Sequence, residues 1–349
     1  MASLRSTLDS ASPFLLPAAA VIAITASVQA GGDELLSRVL TVALMNMVIV
    51  IGLYTFVGNS GVFSFGHIAF AAIGAYSAAI LAAPPKSVDG VSGKDILLSG
   101  LPTFLRDAHA SPLVATLAGG AVCAVIAAIV SLPLMRLSGI AASIATFSLL
   151  LIVNVVASNW RAVTNGTGGI AGVPTTTTAW VALCWVMVAM GAAFAFQLTR
   201  VCLRLRASRE DEVAARASGI AIYLERRYAF IISAFLVGVG GGLYGHYLGS
   251  FSPGAFYLPL TFTTVAMLVI GGTTSLTGAV FGAVFVATIS ELLRRTEESV
   301  HVSSLSQIGL AVVMLLVLTL RPGGLTGGAE ARLPRRLPRL GRFGARTRS

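Results

Sequence analysis

Apolar residues run through this chain in long blocks, without the alternation of half-buried strands or the single apolar stripe of surface helices. The blocks fall at 13–30, 38–57, 64–83, 112–132, 139–159, 178–199, 228–249, 257–271, 276–293 and 305–320. All but the short 257–271 block approach the ~20 residues that cross a hydrocarbon core of ~30 Å. The pattern predicts an all-α fold, a polytopic transmembrane helical bundle of about ten spans. Residues 1–12 form a short N-terminal segment, 13–320 the transmembrane domain with a polar loop at 200–227, and 321–349 a tail. The first block holds Pro13 and Pro17 and lacks a small-residue cleavage site, so it reads as a retained span.

Two blocks are punctuated. "GNSGVFSFGHIAFAAIGAY", residues 58–76, brings Gly58, Gly61 and Gly66 together with Asn59, Ser60 and Ser64 where apolar helix is expected. This predicts an interrupted helix, with a half-helix starting near Ser64 and His67 one turn into it. Backbone groups freed at membrane depth must be satisfied by protein or water, so the break belongs in the interior, facing a cavity or a neighbouring span. The half-helix N-terminus would aim its N–H groups at that cavity, a geometry suited to a passing carboxylate. "GGTTSLTG", residues 271–278, is a second small-polar break and a candidate counterpart.

Composition agrees with a membrane location. Of 349 residues, 56% are apolar and 11% charged, and the mean hydropathy is +0.86; soluble domains carry about a quarter charged residues. The net charge of +10 comes almost wholly from arginine, with seven in 200–227 and eight in 321–349. Placed in a loop and a tail, it speaks for lipid headgroups and orientation, not for nucleic acid. Both segments should be cytoplasmic, and the span count then puts the N-terminus inside as well. The outer loop 84–111 balances its charges, and Trp160 and Trp180 bracket a second outer loop, 161–177, as an interfacial aromatic belt would. The tail beyond 321 has no face wide enough to pack and should be disordered. Cys123, Cys184 and Cys202 show no metal-ligand spacing.

The spans hold almost no carboxylates, which argues against a proton-driven carrier. The nearest approach to a phosphate loop, "SVDGVSGKD", lacks the first glycine and any Ser or Thr after Lys94, so the chain carries no ATPase of its own. Energy for uphill transport would come from another subunit. The segment "RASREDEVAARASGIAIYLERRYAFIISAF", 206–235, is built to receive it. Glu210, Asp211 and Glu212 cluster at the start of a short helix, where carboxylates oppose the helix dipole. Ala214, Ala215 and Ala217 give a small-residue surface for close approach, and Gly219 ends the helix.

The pattern Glu212–Ala214–Ala215 with Gly219 resembles the EAA loop of bacterial ABC importer permeases, the helix that docks into a groove of the ATPase subunit. "GNSGVFSFGHIAFAAIGAYSAAIL" is similar to the N-terminal signature of the branched-chain amino acid permease family, and "LSGIAASIATFSLLLIVNVVASNWRAVTNGTGGIAGVP" to the middle signature of its LivM-type member. "ISAFLVGVGGGLYGHYLGSFSPGAF", "LVIGGTTSLTGAVFGA" and "LRPGGLTG" resemble its C-terminal blocks. The resemblance spans roughly residues 37 to 328 in order; Thr274 and Phe65 depart from the usual glycine and leucine. It implies a multi-pass subunit of the bacterial plasma membrane that moves branched-chain or related amino acids. Its implied partners are a second homologous permease, two ATP-binding subunits that hold ATP and Mg, and an extracytoplasmic binding protein. This chain then needs no cofactor, metal or catalytic residue of its own.

The expected coupling residues are Glu210, Glu212, Ala214, Ala215 and Gly219, and the substrate-path candidates Asn46, Ser60, Ser64 and His67. For His67 the alternative is a neutral side chain stitching two spans together, and for Asn46 an interhelical hydrogen bond. Three rival functions stay open at this point. "GNSG" with His246 matches a weak nucleophile motif of intramembrane serine proteases; a self-sufficient channel or carrier is another; a permease for urea, a short amide or another small polar solute is the third.

Overall fold

The computed structural model describes residues 2–84, 109–300, 305–321 and 323–330. The described residues hold thirteen α-helices and two 3-10 turns, with one isolated antiparallel bridge, Ile170–Phe251, in place of any sheet. In chain order the helices are α1 Ala2–Ala30, α2 Glu34–Ser60, α3 His67–Ala82, α4 Pro112–Leu134 and α5 Gly139–Asn159. The short α6 Arg161–Thr164 precedes α7 Ala179–Gln197, α8 Arg200–Glu210, α9 Glu212–Ala217 and α10 Ile222–Leu248. The last three are α11 Leu258–Gly271, α12 Leu276–Val300 and α13 Leu305–Leu320.

Seven of these helices, and α11 taken with the 3-10 turn that precedes it from Pro253, are long and apolar enough to cross a membrane, and α3 and Ile308–Leu320 of α13 are shorter apolar helices. They fall on the ten apolar blocks of the sequence. The boundaries shift where polar residues are tolerated: α2 continues to Ser60, α3 starts at His67, and α10 begins at Ile222. Glu225 and Arg226 therefore belong to a span helix and are buried, not part of the 200–227 loop. That loop is two helices, and α1 is already helical from Ala2. The charge balance of 84–111 and the tail from 331 lie outside the described residues.

α2 and α10 form the centre. Some 83% of the apolar window of α2 and 72% of that of α10 is buried, against 22% for α1 and α5. Glycines let these cores touch at backbone distance. A Cβ on Gly241 would lie 2.0 Å from Ala71 O, and one on Gly74 2.1 Å from Gly238 O, so α3 and α10 meet with no side chain between them. This is how helices associate in lipid, where dispersion and close packing replace a hydrophobic driving force. Ser233 Oγ donates to Gly52 O at 2.6 Å and Cys123 Sγ to Phe70 O at 3.1 Å, joining α10 to α2 and α4 to α3. Around this core the outer helices present Val125, Ile129, Ile144, Ile152, Val188 and Leu315, all largely exposed. A belt of that extent has no place in water and needs lipid.

The bundle has two distinct ends. At one, the residue 160–178 connection joins the segment after α10: Ile170 and Phe251 exchange backbone bonds of 3.0 Å, and Val173 N donates to Gly249 O at 2.9 Å. Trp160 and Trp180 are both half-exposed there. The opposite end gathers α8, α9, both chain breaks and residues 323–330.

Candidate functional site

The first break forms because α2 stops at Gly61, which adopts a left-handed φ of 70° and returns its N–H to Val57 O. A Cβ at Gly61 would lie 2.5 Å from Arg209 Cγ, so the turn is pressed against α8. Residues 61–66 then cross to α3. Val62 N donates to Ser60 Oγ at 3.2 Å, and Ser143 of α5 donates to Phe63 O at 2.8 Å. Gly66 packs on the Thr146 carbonyl. Protein side chains thus take up these two freed backbone groups.

Two expectations for this stretch change. His67 is the first helical residue, not one turn in, and Ser64 lies in the crossing. His67 Nδ1 lies 2.7 Å from Ser64 Oγ, and the ring sits among Phe56, Phe70 and Phe230 at centroid distances of 5.4, 6.2 and 5.3 Å. Its hydrogen bond stays within the crossing, its Nε2 is buried without a partner, and only ring contacts reach α2 and α10. The break also does not point a half-helix into a mid-membrane cavity. It lies beside the α8–α9 segment, because α2 runs further than its apolar block.

What meets the break is arginine. Arg209 Nη1 donates to Gly58 O at 2.8 Å, Arg206 Nε to Asn59 Oδ1 at 2.8 Å, and Arg206 Nη2 to Tyr54 Oη at 3.3 Å. Cys202 Sγ also donates to Asn59 Oδ1, at 3.2 Å, and burial pushes the Cys202 thiol pKa up, keeping it a neutral donor. Asn59 Nδ2 in turn donates to Thr55 O at 3.0 Å. The last carbonyls of a helix lack intrahelical donors and carry its negative dipole end, so the Arg209 guanidinium is a matched cap, while Arg206 holds the side chains of Asn59 and Tyr54 beside it. In the sequence these arginines read as orientation charges. The only signal for the cap is their three- and four-residue spacing along one helix face from Cys202.

α9 hangs from this clamp. Asp211 caps it, accepting from Val213 N at 2.9 Å and Ala214 N at 3.0 Å. Glu212 bonds Arg216 at 2.6 Å and reaches Arg226 of α10 at 3.3 Å. Gly219, at φ 80°, ends the turn as expected, and Ile220 N closes back on Ala215 O at 3.1 Å. Glu210 belongs instead to the end of α8, paired with Arg209 at 2.8 Å. The alanines divide: Ala215 is buried against the bundle, while Ala214, Ala217 and the 79%-exposed Val213 face outward. Ser60, Gly61, Val62 and Phe63 share a cavity of about 380 Å³ with Ser208, Arg209, Glu212 and Arg226. Six of the predicted residues, Ser60, Glu210, Glu212, Ala214, Ala215 and Gly219, therefore sit at one end of the bundle.

The second break does lie beside the first. A Cβ on Gly58 would come within 2.4 Å of Thr273 O. Its own half-helix N-terminus holds a carboxylate, supplied by the chain itself. Glu330 accepts from Leu276 N at 2.9 Å, Thr277 N at 3.2 Å and Thr277 Oγ1 at 2.9 Å. Leu325 N and Thr326 N bond Ile270 O and Gly271 O at 2.8 and 3.2 Å. The folded body therefore extends to Glu330, past the expected start of the tail.

Asn46 is far from this end. It lies in the first half of α2, buried, and lines a cavity of about 410 Å³ with residues of α10, α11 and α12.

The sealed aromatic core, the lipid-facing belt and the plate of polar caps at one end define a multi-pass helical membrane protein. Residues 35–318 match the family described as branched-chain amino acid transport system / permease component, and the chain belongs to that family. It is similar to the high-affinity branched-chain amino acid transport system permease protein LivM of Salmonella typhimurium, 27% identical over 320 residues that cover 82% of this chain and 68% of the relative. LivM of Escherichia coli K12 is 26% identical with the same coverage. No solved structure matches. Membership makes the chain a transport permease. The serine-protease alternative also fails on geometry. Ser60 is buried and shares its cavity with Arg226, whereas His246 lies about 30 Å further along α10 by helical rise.

Proposed function

We propose that this chain is the membrane-spanning subunit of an ABC importer that carries branched-chain or related amino acids inward across a bacterial plasma membrane. Two separate ATP-binding subunits power it, a second homologous permease completes the path, and an extracytoplasmic binding protein delivers the solute. The ATP chemistry belongs to the partners, and this chain's part is conformational. In this assignment the α8–α9 end and both termini face the cytoplasm.

One observation carries the proposal: the outward face of α9, small and apolar at Val213, Ala214 and Ala217, is mechanically tied to the chain break. A partner that pushes α9 pushes Glu212, and through the contiguous α8 it pushes Arg206 and Arg209, which hold the end of α2. Resemblance of Glu212, Ala214, Ala215 and Gly219 to the EAA loop points the same way.

The test is Glu212→Lys in the chain co-expressed with the second permease and the ATP-binding subunits of the proposed importer. The substitution breaks the pairs to exposed Arg216 and buried Arg226 at the edge of the bundle, away from the glycine contacts that hold α2, α3 and α10, so the spans should still insert. Membrane levels should stay near wild type, while leucine uptake and recovery of ATPase with the tagged chain fall together. Wild-type uptake with intact complexes would refute the role given to α9.

A further inference from the structure

At the end of the bundle opposite α8 and α9, helices α2, α10, α11 and α12 enclose a cavity of about 410 Å³. Leu35, Arg38, Val39, Val42 and Asn46 recur on it at three- and four-residue intervals, a single face of α2. Charge lies near the helix ends. Arg38 is there, with Glu291 and Arg294 paired at 3.0 Å on α12. Deeper in, the walls turn apolar, and at the far limit of the α2 face stands Asn46. Two turns of helix, about 12 Å, separate Asn46 from Arg38.

Asn46 is 93% buried by its 7% exposure, and its side-chain carbonyl has no hydrogen-bond partner. A buried amide oxygen left unsatisfied costs roughly as much as a lost hydrogen bond, so its place on a cavity wall is informative. Two other polar side chains on the same walls are satisfied: Thr263 donates to Pro259 O at 2.8 Å, and Glu291 is held by Arg294 and Arg295.

We propose that this cavity is a solute vestibule and that Asn46 is its polar floor, taking the head group of a small amphipathic zwitterion whose aliphatic part lies on Val39 and Met267. A carboxamide suits such a head because its oxygen accepts from an ammonium while its NH2 donates to a carboxylate. The floor and the charged mouth are too far apart for one amino acid to touch both. The solute is met first by the Glu291–Arg294 pair and then handed inward to Asn46. The amino-acid class rests on the proposed function; the site rests on the cavity and the unpartnered amide alone. A zwitterionic lipid head group shares this chemistry, and the experiment separates the two.

The test uses the purified full-length chain in nanodiscs with Cys184→Ala, which leaves only the buried Cys123 and Cys202, so that this background is the blank. Asn46→Cys and, nearer the mouth, Val39→Cys are reacted with a charged thiosulfonate; Ile129→Cys on the lipid face is the control. Both cavity positions should react and Ile129→Cys should not. L-leucine should slow Val39→Cys severalfold, with phosphatidylglycerol and phosphatidylethanolamine discs alike, and adding Asn46→Ala should abolish that protection. If the Asn46 variants misfold, slowing of Val39→Cys by L-leucine upholds the vestibule by itself. Inert cysteines at both positions, or rates indifferent to every added solute, overturn the vestibule. Slowing by phosphatidylethanolamine alone makes it a lipid site and also overturns it. Protection by urea but not leucine upholds the vestibule and overturns the amino-acid assignment instead.

Discussion

Gly61 and Gly219 have almost the same backbone conformation, φ 70° and 80°, and opposite surroundings. Alanine at either position adds a Cβ to a left-handed residue, at about 1–2 kcal/mol. At Gly219 nothing lies within 4 Å of the added carbon, so the conformational cost is the whole effect. At Gly61 the carbon would lie 2.5 Å from Arg209 Cγ and 3.1 Å from Cδ, and the arginine must yield. What it stands to lose is the 2.8 Å bond from Nη1 to Gly58 O. A hydrogen bond to a charged group is worth ~1.5–3 kcal/mol, and the low end applies because the Arg209 side chain is 24% exposed. Gly61→Ala should therefore destabilise by about 3 kcal/mol, and Gly219→Ala by about half of that.

A double-mutant cycle isolates the difference. With Arg209→Ala already in place, Gly61→Ala should cost only the conformational share, which leaves a coupling of about 1.5 kcal/mol. Gly219→Ala should be indifferent to the same background. Unfolding of the purified chain in mixed detergent micelles, followed by tryptophan fluorescence, measures all six proteins. Additive effects of Gly61→Ala and Arg209→Ala would refute the clamp, since the arginine would then move without loss.

Three further outcomes follow from the packing. Glu330→Ala removes the carboxylate at the start of α12, where a lost cap costs ~1 kcal/mol, so the segment after Arg321 should become accessible to protease while the core unfolds almost as before. Gly241→Val should abolish recovery of monodisperse protein on size exclusion, because the Ala71 carbonyl lies 2.0 Å from the added carbon and backbone cannot step aside; a normal elution profile would contradict the contact. With Cys184 replaced by alanine, single cysteines at Thr167 and Ser218, both exposed and at opposite ends, should label oppositely with an impermeant thiol reagent on intact cells; labelling of both from outside would overturn the assigned orientation.

The ten apolar helices are legible in the sequence because a span must be apolar for its whole length, whatever it faces. For the same reason their places in the bundle are not. α2 and α5 have mean hydropathies of 2.2 and 2.3 over their windows, yet one is 83% and the other 22% buried. Lipid and protein core ask for the same side chains, so no stripe marks the difference. Glycine is the usable clue: Gly52 and Gly58 on α2, and the Gly238–Gly242 run on α10, sit where backbones touch. The turn at Gly219 is legible too, since a C-terminal glycine after a short alanine-rich helix is a local signal. The arginine clamp is not, because Arg206 and Arg209 meet Asn59 and Gly58 across about 150 residues of chain. Glu330 is hidden as one acid in an arginine-rich tail, although the glycine-rich turn before it gives the chain freedom to fold back.

The two sites at opposite ends share one element. α2 runs without proline from Glu34 to Ser60, so Asn46 and Asn59 lie on one continuous hydrogen-bond ladder about 20 Å apart. Ser233 bonds Gly52 between them, and a Cβ at Gly52 would meet Val237 at 2.8 Å, which fixes α2 against α10 along its middle. A displacement applied through Arg206 and Arg209 therefore cannot be absorbed by bending α2 locally; interiors packed at this distance transmit strain. It must appear as movement of α2 and α10 together against helices bound to them less tightly. α11 and α12 supply the opposite wall of the Asn46 cavity, and their own break rests on Gly58 through Thr273. The Gly58–Thr273 contact thus brings both walls of the cavity to the arginine clamp, as does Gln197, which donates to Tyr54 Oη at 2.7 Å and to Glu330 at 3.5 Å; a Cβ at Gly58 would run into the Thr273 carbonyl.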